Sequence, residues 1–212
     1  SRVGATLHIV AGERAPLVSV HVNGIHRVDD GAVRTGIFSR AYEAPAGLSQ
    51  AGVFHWPYVQ QDAQRILRNL YSAGFLDAQI VGIRKEASVD LQGIAVHFDI
   101  VEGEMFELAE VHFHGDLPPG TTSDELEKSL SVKKGEPANV IALQEEIETM
   151  TWPLKDAGFP FVTIGQRVSE VSPPSGNPNN KGLLLDVTIE KGSVMTVRRV
   201  LVKGNDWTQE HV

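Results

Sequence analysis

The chain has 212 residues, a net charge of −8, an apolar fraction of 42% and no cysteine. That composition is globular rather than disordered, and the length allows one large domain or two small ones. It excludes disulfides, thiolate metal sites and a cysteine nucleophile, and the scattered acidic residues argue against a nucleic-acid surface, which needs a basic stripe.

No run approaches the roughly 18 consecutive apolar residues of a membrane helix, so the chain reads as soluble. It opens in mid-pattern, as a segment of a longer protein does, and the lack of a secretory leader at Ser1 therefore carries no weight. A sixteen-residue frame then organises it. IVAGERAPLVSVHVNG (9–24) returns without a gap as IVEGEMFELAEVHFHG (100–115) and IEKGSVMTVRRVLVKG (189–204), at offsets of 91 and 89 residues. Ile9, Ile100 and Ile189 open the three frames; Gly12, Gly103 and Gly192 follow, then Val20, Val111 and Val200, and finally Gly24, Gly115 and Gly204. Each frame reads as the end of one strand, a glycine turn and the start of the next.

In chain order, Val18, Val20 and Val22 alternate as a half-buried strand, and Asp29–Asp30 stand where a helix cap is needed. A Gly/Pro-rich connection, Ala44–Pro57, carries Leu48, Val53, Phe54 and Trp56, with Tyr58 just beyond. It is expected to fold onto its own module, the other reading being an aromatic contact surface at Phe54, Trp56 and Tyr58. A helix over Tyr58–Ala73 places Val59, Ala63, Ile66 and Leu70 on one face, with Gly74 as its cap. A strand over Leu76–Lys85 follows, and then Val96, Phe98 and Ile100 alternate with His97 and Asp99.

The second unit repeats this order. Val111 and Phe113 begin it, Thr122 and Glu125 make a capping box, and Gly135 and Pro137 interrupt the chain. A helix over Ala138–Ala157 carries Leu143, Ile147, Met150 and Leu154 on one face, with Gly158 as its cap. Trp152–Pro153 predicts a kink near Thr149; the first unit has Asn69 in place of Pro153 and is expected to be straighter. A strand over Phe161–Val168, a mobile loop SPPSGNPNNKG, and the alternation Leu183, Leu185, Val187, Ile189 close the unit. Asp206 is the expected helix cap of a third unit.

The fold expected is α+β: tandem β-α-α-β-β modules, each a three-stranded mixed sheet of order 1-3-2 covered on one face by two antiparallel helices. The expected division is 1–13 for the end of a preceding module, 14–103 and 104–192 for two complete modules, and 193–212 for the start of a third. Linkers this short predict semi-rigid orientation of neighbours.

Few residues suggest chemistry. His112 and His114 share a strand face and could chelate, but no third ligand is evident in the sequence, so no metal site is expected. His21 and His97 are expected to face each other across the first sheet, near Asp99. Glu145–Glu146 read as a solvated helix face. No Ser/His/Asp set, phosphate loop or nucleophile elbow is present, so neither an enzyme nor a cofactor is expected. A KH-like nucleic-acid module, superficially similar in βααβ order, would need a basic Gly-x-x-Gly loop that the chain lacks.

The ordered set GIAVHFDIVEGEMFELAEVHFHG, LYSAGFLDAQI, LKDAGFPFV and VTIEKGSVMTVRRVLVKGND resembles POTRA domains, the periplasmic modules that precede the barrel in outer-membrane assembly proteins. The resemblance covers nearly the whole chain and is greatest to the BamA family, with the long Ala44–Pro57 connection similar to the third POTRA domain. It implies the third and fourth domains plus the start of the fifth, and a non-catalytic periplasmic scaffold. Its partners would be unfolded outer-membrane β-barrel proteins, accessory lipoproteins and the protein's own C-terminal membrane barrel. A TamA-like, chloroplast-envelope or two-partner-secretion transporter, or a division or secretion scaffold holding one partner, would read similarly. Edge strands offer the physical means, since an extended client can pair with free backbone groups. The first module's second strand is the expected docking edge: Asp77, Ala78, Gln79, Ile80, Val81, Gly82, Ile83 and Arg84. Its counterpart is disfavoured because Pro160 removes a donor at its start.

Overall fold

The computed structural model describes residues 15–41, 52–88, 93–196 and 198–199. Ile9, Gly12, Leu48, Val200, Gly204 and Asp206 lie outside the described residues, as does most of the expected third module. Within the first unit, β1 (Leu17–Asn23) leads to a one-turn helix α1 (Asp30–Val33), a long helix α2 (Trp56–Ser72), and strands β2 (Gln79–Ser88) and β3 (Gly93–Val101). The second unit runs β4 (Met105–Gly115), α3 (Ser123–Ser129), α4 (Val140–Met150), α5 (Trp152–Asp156), β5 (Thr163–Val171) and β6 (Asn180–Glu190).

Two three-stranded sheets result, ordered β1-β3-β2 and β4-β6-β5. In each, the first and last strands are parallel and the middle one in sequence pairs antiparallel. The hairpin's second strand therefore lies in the centre of each sheet, and the mixed α+β architecture is as expected. Each sheet buries its own apolar face. Val59, Ile66, Leu70, Val96 and Phe98 are wholly buried in the first core; Leu143, Ile147, Leu183, Val187 and Ile189 are so in the second.

Equivalent places carry equivalent irregularities. Pairing slips between Leu17 and Ser19 and again between Leu108 and Glu110, the same positions of the repeated frame. The extra residue turns Leu17 into the core, where strict alternation from Val18 would have kept it out. The frame's last glycine has one cause in both units: at Gly24 and Gly115, with φ of 88° and 86°, an added Cβ would sit 2.0 and 2.3 Å from the carbonyl oxygens of Ile100 and Ile189. Neither the torsion nor the space admits a side chain.

The helices depart from expectation where proline acts. α2 is continuous, and Asn69 donates through Nδ2 to the carbonyls of Val33 (2.9 Å) and Thr35 (3.0 Å), tying it to α1. In the second unit the expected kink near Thr149 is instead a break at Thr151, which ends α4 and begins α5 with Pro153 in its first turn. Thr151 is buried, and its hydroxyl donates to Glu148 O at 2.7 Å. The caps at Asp29 and Thr122 form as expected, the latter with the full reciprocal box to Glu125.

Both second strands start later than predicted. After α2, Phe75 N bonds Leu70 O and Gly74 N bonds Tyr71 O, a Schellman closure, and Ala78 N then turns back to Phe75 O. The chain uses these residues to bury Phe75 and Ala78 before any ladder begins. Within the loop 172–182, Ser175 N and Oγ donate to Glu107, and Asn180, where β6 begins, is buried.

Candidate docking edges and the module junction

Four outer strands could offer backbone groups to a partner, and the chain itself pairs with the starts of two of them. At the start of β1, Leu17 N donates to Gly52 O (2.7 Å) and Phe54 N to Ala15 O (2.9 Å). At the start of β4, Leu108 N donates to Glu136 O (2.9 Å), and Ala138 N to Phe106 O (2.8 Å). By contrast, among the described residues the backbone bonds lying outside helices and ladders involve no residue of β2 or β5.

Of the residues singled out in the sequence, Gln79, Ile80, Val81, Gly82, Ile83 and Arg84 lie on β2. Asp77 and Ala78 do not: they belong to the preceding turn, Ala78 is buried, and Asp77 faces the Lys181 ammonium at 3.6 Å. A bulge between Ile80 and Gly82 leaves Val81 63% exposed, after which Gly82–Ser88 pairs regularly with β3. Ile80 and Ile83 pack against the core while Arg84 turns to the open face, where its Nε donates to Asp99 at 2.6 Å. That bond, with Asn23 as a second donor, holds the Asp99 carboxyl well below the usual carboxylate range. Pro160 does not touch β5, which begins three residues later, so the reason for disfavouring that edge falls away.

Phe54 packs against the first core, as expected of a loop folding onto its own module. Trp56 and Tyr58 stay about 40% exposed, with Tyr58 5.6 Å from Phe38 and the Lys85 ammonium 5.9 Å from the Trp56 ring. His21 and His97 stack at 4.6 Å, so the expected juxtaposition forms.

The sequence placed the junction between the units but gave no sign of the contacts that hold it. Only Glu102, Gly103 and Glu104 separate β3 from β4. The units exchange apolar side chains across this link: Leu76 packs against the second core, and Met105 against the first. Phe106 N donates to Gly74 O at 2.8 Å. The buried Glu102 carboxylate accepts from the backbone N–H groups of His26, Arg27 and Val28. Arg27 then reaches over to donate to the side-chain carbonyl of Asn180 and to Asn179 O, and the Asn180 amide donates to Glu107. Burial pushes the Glu107 carboxyl up, but the Ser175 hydroxyl, the Asn180 amide and Ser175 N together outweigh it, leaving the group below its ordinary value. Lys181 lies within 3.2 Å of both Glu104 and Glu170, and these bonds hold its ammonium above the ordinary lysine range. None of these residues stands out by period, since polar groups that face each other only after folding leave no pattern along the chain.

No protein-family profile matches the chain. It is 22% identical to the outer membrane protein assembly factor BamA of Nitratidesulfovibrio vulgaris over 97% of its own length, and spans 25% of that relative. Its fold matches a crystal structure of Haemophilus influenzae BamA POTRA3-5 with a TM-score of 0.64 at 19% identity, covering 93% of this chain and 74% of that one. A structure of Haemophilus ducreyi BamA lacking POTRA domains 1-3 matches with a TM-score of 0.57 at 13% identity, over 82% of this chain and 29% of that one. Repeat, sheet order and likeness agree, and the chain is a tandem of POTRA-fold modules, similar in sequence and in shape to those of BamA.

Proposed function

We propose that this chain is part of the periplasmic scaffold of an outer-membrane β-barrel assembly factor, without catalysis of its own, and that it docks extended clients along the rim of β2. The observation that carries the reading is that β2 and β5 have no outer backbone partner among the described residues, while β1 and β4 are paired at their starts by their own chain. A free rim pairs with an extended segment through main-chain bonds alone, which suits a scaffold that must accept many unfolded sequences. The modules are the third and fourth of their series, within boundaries 14–103 and 104–192. Accessory lipoproteins and the membrane barrel of the same protein complete the assembly. The likeness to BamA supports this assignment. Among the described residues no helix is long and apolar enough to cross a membrane.

The test is an NMR titration of the labelled chain with an unstructured peptide from an outer-membrane β-strand. Amides of Gln79–Ser88 are expected to shift first, ahead of those on the helix faces. Shifts confined to Val53–Tyr58, or to the helices, would overturn the assignment of the rim.

A further inference from the structure

The open face of the second sheet brings a third donor, 74 residues away in the sequence, beside a pair of histidines on one strand. His112 and His114 project from the same side of β4, and Asp186 is the register partner of His112 on β6. His112 Nδ1 lies 3.3 Å from Asp186 Oδ1, and His114 Nε2 lies 3.5 Å from the same oxygen. A tetrahedral ion with bonds of about 2.0–2.1 Å sets neighbouring ligand atoms about 3.3–3.4 Å apart, so both spacings already fit. All three donor atoms fall within 4.8 Å of one another.

The surroundings complete the arrangement. His112 Nε2 faces Glu110 at 3.3 Å, so a carboxylate holds the ring from behind while Nδ1 points to the shared centre. Glu110 is in turn 3.4 Å from the Lys134 ammonium. Arg167, the register partner of Asp186 on β5, lines the same depression, yet no ion pair among the described residues involves it. The Asp186 carboxylate is thus left to the two imidazoles. Gly165 and Thr188 also line the depression, which leaves room for a fourth ligand.

The first module shows what the same place looks like without this set. There the equivalent pair is His21 stacked on His97, Asn23 stands where His114 does, and the nearby Asp99 is gripped by Arg84. The frame is shared, but among the described residues the donor triad is found in the second module only.

We propose that His112, His114 and Asp186 bind a borderline divalent cation, with zinc the natural fit to two imidazoles and one carboxylate, and that Glu110 positions His112 for it. Water or a partner's side chain takes the fourth position.

The test is calorimetric titration of the chelator-treated chain with zinc chloride, with the imidazole C–H resonances of His112 and His114 followed by NMR. One zinc per chain is expected, with both imidazoles shifting together. Uptake should weaken at least about tenfold in His114→Gln and in Asp186→Asn, and about tenfold in Glu110→Gln, which removes only the positioning carboxylate. His21→Gln should leave it unchanged. The resonance shifts are read on the unaltered chain, so they decide the matter even if a variant folds poorly. No uptake up to about 1 mM zinc, or uptake indifferent to His114 and Asp186, would overturn the proposal.

Discussion

The guanidinium of Arg27, in the first module, donates to the side-chain carbonyl of Asn180, the first residue of the closing strand of the second. Arg27 Nη1 also donates to Asn179 O at 3.2 Å, and the backbone of Arg27 is itself fixed on Glu102. The bond therefore joins two rigid parts, which is what sets an angle between modules. Arg27→Ala is expected to cost only about 1 kcal/mol of stability, the scale of a single hydrogen bond. It should nevertheless broaden the distribution of inter-module orientations. Residual dipolar couplings and small-angle scattering check this; an unchanged single orientation would mean that Leu76 and Met105 suffice.

Glu107 is a buried carboxylate whose folded form is ionised, because the Ser175 and Asn180 donors outweigh its burial. Its folded pKa lies below the unfolded value of about 4.3, so its contribution is present above that pH and is lost as the pH falls through the folded value. Glu107→Gln should destabilise by about 1–3 kcal/mol at neutral pH, since a carboxamide meets donors with a donor. The difference from the unaltered chain should shrink below about pH 4. Urea denaturation at a series of pH values measures both, and a difference constant with pH would contradict the assigned ionisation.

Gly115 ends a strand with φ of 86° and Ile189 O where its Cβ would be. Gly115→Ala should cost about 1–3 kcal/mol from the torsion alone, with a further loss as the β4–β6 pairing shifts. Because each sheet has its own core, the loss is expected in the second module first. Hydrogen exchange would show β6 amides losing protection while β3 amides keep theirs. Uniform loss across both sheets would mean that the modules unfold as one.

Period and repetition made most of the fold legible. The alternation in 96–100 and 183–189, the spacing of Val59, Ala63, Ile66 and Leu70, and the capping box at Thr122 are local patterns that local forces act on, and all three are found as read. The repeated frame marked the strand–turn–strand junctions, and with them the order of each sheet. Boundaries were less legible. The Schellman closures after α2 and α5 consume residues that carry strand-like side chains, and Pro153 divided a helix that its apolar stripe continued through.

The sequence by itself determined the β-α-α-β-β order within each of the two described units and the apolar face of each sheet, because those follow from contacts a few residues apart. Only the tertiary structure decided which strand starts the chain itself pairs, that Glu102, Arg27, Asn180 and Glu107 lock the link, and that Asp186 stands between His112 and His114. Those relations join residues some seventy to one hundred and fifty positions apart. A polar pair of that separation has no period, and it becomes an interaction only when the sheets bring its two halves within reach.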